Sequence, residues 1–118
     1  MSDRKRVAAL FLPAGFEPWA PPADVYRTRD GWLLKFDLAG VRLEDVLVTV
    51  RGRRITVSGS RRDLMAEEGC SYYSMEISYN RFERTIEMPS SLDNARVMLE
   101  ARDGILMVRV RIEGNDNV

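Results

Sequence analysis

The sequence predicts an all-β fold, an antiparallel sandwich or barrel, and three observations carry that expectation. From Ala23 onward apolar residues recur at every second position in run after run, the period of a strand with one buried face. Glycine, proline or an Asp-Gly pair stands between the runs, and these are the residues that turn a chain back on itself. No segment carries an apolar stripe at helical spacing over three turns.

The elements follow in order. Residues 1–21 read as a partly flexible arm. It holds Val7, Leu10, Phe11, Leu12, Phe16 and Trp19, but Pro13, Pro18 and Pro21, with Pro22 at the border, prevent a long helix. In GWLLKFDLAG, Trp32, Leu34, Phe36 and Leu38 share one face, and Lys35 and Asp37 take the other. EDVLVTV puts Val46, Val48 and Val50 together, and Arg51-Gly52-Arg53 connects tightly to RITVSG, with Ile55 and Val57. FERTIEMP sets Phe82, Ile86 and Met88 against Glu83, Thr85 and Glu87, and ARVMLEA groups Val97, Leu99 and Ala101. Asp103-Gly104 is a strong hairpin signal. After it Leu106, Val108, Val110 and Ile112 alternate with Arg109 and Arg111, and residues 113–118 are left as a short tail.

One segment breaks the rhythm. Ser60–Asn80 is a long excursion between two good strands. A connection beyond about 12–15 residues in a compact domain is usually functional or structured in its own right. Its second half, SYYSMEI at Ser71–Ile77, alternates like a short strand, and a strand so far from its neighbours is suited to pairing with another chain.

Composition narrows the function. At 118 residues the chain is one domain with room for a core. Eighteen Lys+Arg balance eighteen Asp+Glu, which gives no hint of nucleic acid or an anionic membrane. Five arginines lie between Arg51 and Arg62, but the residues interleaved with them, Ile55 and Val57, are core by parity, so a basic hairpin exterior is the reading. No apolar run approaches the roughly 18 residues of a spanning helix. There is no histidine and only one cysteine, Cys70, so a zinc or thiolate site is excluded and a reducing, cytoplasmic setting is expected. The basic, apolar start is read as arm rather than secretory leader, because Pro13 interrupts it and no clean cleavage site follows. Phosphate-binding glycine motifs are absent, Ser60 has no histidine to serve it, and Glu44-Asp45 and Glu67-Glu68 sit in connections. No enzyme, cofactor or metal is expected.

The motifs in order resemble the small heat-shock protein (Hsp20, α-crystallin domain) family of the bacterial and plant type, from Pro22 to Ile112. PPADVYRT is similar to P-x-x-D-V-Y-E-T, EDVLVTV to the E-D-I/V strand, and RITVSGSR to L-T-I-S-G-E-R. NRFERTIEMP is similar to G-x-F-x-R-x-F-x-L-P, and LEARDGIL to A-x-x-x-n-G-v-L. The resemblance implies an immunoglobulin-like sandwich, ATP-independent holding of non-native client proteins, and dimers in which the long-loop strand pairs with the partner's sandwich. It assigns Tyr72, Tyr73, Met75, Glu76 and Arg84 to the dimer interface. It assigns Val46, Val48, Val50, Val97 and Leu99 to an apolar edge groove that in the family receives an I-x-I/V tail. Leu10, Phe11, Phe16 and Trp19 are either client-binding groups of the arm or a cover for the sandwich edge.

Departures from the pattern carry expectations of their own. Ala39 stands where the family has proline, Asn80 where it has glycine, and Leu99 where it has alanine. Leu99 narrows the groove, and no I-x-I follows Ile112, so a homodimer or small oligomer is expected rather than a shell. Arg84 lies on the apolar parity of its strand and needs a partner, either an intersubunit carboxylate or water reached by snorkelling at the sheet edge. The alternatives to a holdase are a partner-specific module of the co-chaperone type and a co-assembling paralogue without holding activity.

Overall fold

In the computed structural model, residues 18–63 and 67–113 are described. Seven strands follow one another: β1 (Ala23–Arg27), β2 (Gly31–Asp37), β3 (Val46–Arg51), β4 (Arg54–Arg61), β5 (Asn80–Glu87), β6 (Ala95–Arg102) and β7 (Ile105–Ile112). A single 3₁₀ turn, Leu43–Asp45, leads into β3. The strands form two antiparallel sheets, one in the order β1-β2-β7-β6 and the other in the order β3-β4-β5. The expected all-β sandwich is what the chain forms.

Turn chemistry sets the register. Asp103 and Gly104 both have positive φ, 55° and 81°, which matches the twist that a two-residue hairpin demands, so Arg102 faces Ile105. Gly52, at φ 62°, opens the β3–β4 turn and places Arg51 opposite Arg54. With those registers fixed, one parity of every strand points inward. Leu34, Phe36, Ile55, Val57, Phe82, Leu106, Val108 and Val110 form the buried core, joined by Leu38, Met88 and Leu92. Complete burial of each large apolar side chain contributes about 1.5–3 kcal/mol.

The expected strand at Ser71–Ile77 is absent within the chain. Residues 67–79 are irregular, and Tyr72, Tyr73, Met75 and Ile77 are exposed. A strand needs a neighbour to satisfy its backbone groups, and no described strand lies within reach of this segment. Trp19 also departs from a free arm, since it is docked on the edge of β5. Leu10, Phe11 and Phe16 lie outside the described residues.

Candidate functional site

The edges of the two sheets are where this fold leaves strand backbone without a neighbouring strand. Each sheet is open, so β1 and β6 border one and β3 and β5 border the other. An edge strand presents unpaired N–H and C=O groups and is a template for a further strand unless something covers it.

On one side of the sandwich lie β3 and β6. Val46, Val48 and Val50 face Gly59, Val57 and Ile55 across β3–β4, and Val97 and Leu99 face Val110 and Val108 across β6–β7. All five therefore share the core parity. Val46, Val48 and Val97 pack against the core from a half-buried position. Val50 and Leu99 remain 37% and 40% exposed, because no described strand closes this side. Beyond them a cleft of about 160 Å³ is lined by Leu38, Val41, Leu43, Val46, Ala101 and Leu106. The five residues grouped from the sequence lie on the core-facing parity of these two border strands, and the cleft joins Val46 of β3 to Ala101 of β6 near the β6–β7 turn.

On the other side lie β1 and β5. The outer edge of β1 has no described strand beside it. The loop residues grouped as a dimer interface are exposed, Tyr72 82% and Tyr73 101%. Glu76 is exposed on the same loop, and the Cys70 thiol is free and exposed. Arg84 is half-buried on the inner parity of β5, opposite Val57, and its Nη1 donates to the Pro21 carbonyl at 3.0 Å. Among the described residues its partner is this main-chain carbonyl and not a carboxylate.

The β5 edge is occupied. Trp19 forms a parallel bridge with Phe82: its N–H donates to the Arg81 carbonyl (3.1 Å), and its carbonyl accepts from the Glu83 N–H (2.9 Å). The indole sits 5.4 Å from the Phe82 ring, tilted by 53°, and the Arg61 guanidinium lies 4.3 Å from its centroid. Arg61 also donates from Nε to the Ser78 carbonyl (2.8 Å) and from Nη1 to the Ala39 carbonyl (3.0 Å). One guanidinium thereby clasps the chain before β1, the turn after β2 and the end of the long loop. Arg61 was not among the residues expected at a site. The parity that singles out Arg84 would have found it, since Arg61 follows Ile55, Val57 and Gly59 on the inward side of β4.

Among the described residues no group of three or more His, Cys, Asp or Glu is placed to hold a metal ion. No helix among them is long and apolar enough to cross a membrane. Ion pairs such as Arg53–Glu87 at 2.8 Å and Arg96–Glu113 at 2.9 Å are exposed on at least one side. Such pairs contribute about 0–1 kcal/mol each.

Residues 24–117 match the model of the Hsp20/alpha crystallin family. The chain belongs to that family. The Hsp20 match agrees with two curated relatives. Spore protein SP21 of Stigmatella aurantiaca is 33% identical over 88 residues, 75% of this chain and 52% of that protein. A 17.8 kDa class II heat shock protein of Zea mays is 34% identical over 92 residues, 77% of this chain and 56% of that protein. The chain thus spans little more than half the length of these relatives. Among solved structures, heat shock protein 16.0 of Schizosaccharomyces pombe superposes with a TM-score of 0.68 at 28% identity, over 79% of this chain and 86% of that one. For hspA of Xanthomonas axonopodis the TM-score is 0.67 at 22% identity, over 80% and 95%, a likeness of fold.

Proposed function

We propose that this Hsp20 chain is an ATP-independent holdase that binds segments of unfolding proteins along its sheet edges and limits their aggregation. The observation that supports it is the open side of the sandwich where β3 and β6 lie. There, side chains of core parity, Val50 and Leu99 among them, stay open to solvent beside two backbone edges. An extended apolar segment laid there gains main-chain hydrogen bonds and apolar burial together, which is strand addition to an exposed sheet edge. No nucleotide enters that exchange.

Dimerisation is part of the proposal. The exposed Ser71–Ile77 segment carries Tyr72, Tyr73 and Met75 and pairs with no described strand, and the outer edge of β1 has no described strand beside it. Pairing of this segment with β1 of a second copy satisfies both. Leu99, 40% exposed on β6, occupies space that an alanine leaves open and works against tail-mediated linkage into large shells.

The test is light scattering from a thermolabile protein heated without nucleotide across ratios of this chain. Suppression of scattering near or below one dimer per client supports the holdase. No suppression by the folded chain overturns it and leaves a partner-specific module or a co-assembling paralogue.

A further inference from the structure

We infer that the outer edge of β5 is a second strand-docking site, specific for an extended segment with an aromatic residue, and that Trp19 is its weak resident occupant. The resident displays what the site accepts. Its main chain makes one parallel bridge to Phe82, its ring rests on Phe82, and the Arg61 cation covers the indole at 4.3 Å.

The resident is weak for a reason written in its sequence. Along β5, alternate residues turn their N–H and C=O outward, and the bonds from Arg81 and Glu83 to Trp19 identify those residues. The next outward pair is the Glu83 carbonyl and the Thr85 N–H, and the residue facing them is Pro21. Proline has no N–H to give the Glu83 carbonyl. The Pro21 carbonyl accepts instead from the Arg84 guanidinium. The ladder therefore stops after one bridge. An incoming segment with an aromatic residue in the place of Trp19 and any residue but proline two positions on makes the same bridge and continues it to Thr85. It pairs over more of the edge than the resident does, and the cost of displacing the resident is the one bridge, the ring contact and the Arg61 cation–π contact.

The site lies across the sandwich from β3 and β6 and rests on the client-binding reading only for the origin of the incoming segment. Its test is peptide binding, not aggregation. The probe is a fluorescein-labelled heptapeptide, Thr-Val-Thr-Trp-Thr-Val-Thr, followed by anisotropy, with amide exchange reporting where it binds. Trp19→Ala removes the resident and should tighten binding by about tenfold, since the competing occupant reduces apparent affinity in proportion to its occupancy. Pro21→Ala gives the resident the N–H that the Glu83 carbonyl lacks, lengthens its ladder by one bond and should weaken binding about two- to tenfold. Bound peptide should protect the Thr85 amide. Equal affinity across the folded variants, or protection confined to β3 and β6, overturns the inference. If Trp19→Ala does not fold, Pro21→Ala against the parent decides. Peptide binding at β5 without suppression of aggregation retains this site and removes the holdase, and suppression without β5 protection does the reverse.

Discussion

Asn80 opens β5 at φ 70° and is, with Asp103, one of two non-glycine residues in the left-handed region among those described. A side chain there costs about 1–2 kcal/mol, least for asparagine and aspartate, whose short polar groups bond locally. The position earns its conformation by turning the chain out of the long loop just as the Asn80 carbonyl comes within 3.4 Å of the Trp19 indole nitrogen. The resemblance read from the sequence places a glycine here, and the positive φ explains both choices. Asn80→Val should therefore lower stability by about 1–2 kcal/mol, and Asn80→Gly should not, as read by thermal unfolding in circular dichroism. An equal loss in both variants would mean that the side chain, and not the backbone, holds the turn. Residue-scale reasoning from sequence reached Arg84 and Asn80 because parity and motif position are local properties. The same parity marks Arg61 as inward-facing, but not its partners Ala39, Ser78 and Trp19, which come together only in the folded chain.

At the scale of elements, strand alternation and turn residues were legible. The Asp103-Gly104 turn stands where the sequence placed it, and β7 runs through to Ile112 as continuous alternation required. Two elements were not legible, for one physical reason: a strand exists only beside a partner. Trp19 pairs with a residue far along the chain, and no local period announces that bridge. The Ser71–Ile77 segment has strand composition but no neighbour within the chain, so it stays irregular. If that segment pairs with a second copy, Tyr72→Ser with Tyr73→Ser should leave the unfolding transition of the isolated domain in place, because both rings are exposed there. The same pair should shift the population toward monomer in sedimentation velocity. A double variant that remains dimeric would sink the strand-exchange interface.

For the molecule as a whole, the topology places the last strand at the centre. β7 pairs with β2 on one side and β6 on the other, through seven residues facing β2 and eight facing β6. Its Leu106, Val108 and Val110 complete the core opposite Ile55, Val57 and Phe82. A chain cut after Asp103 should lose the whole fold and not one strand, with no cooperative thermal transition and no amide dispersion in NMR. A folded six-stranded remnant would show that the second sheet is an independent unit. The sequence established that a closing strand exists there, but not that it lies between β2 and β6, since order within a sheet depends on pairings between distant segments.

That central placement has a consequence for the birth of the protein. On the ribosome β7 is the last of the seven strands to emerge, and until it does, the β1–β2 hairpin and β6 have no common neighbour. The apolar face of the β1–β2 hairpin, with Leu34 and Phe36, stays without that neighbour while everything between β2 and β7 is made, an interval in which unpaired strands are prone to aggregate. The chain thus passes through an unfinished state of its own, in which β2 waits for the neighbour that completes its sheet.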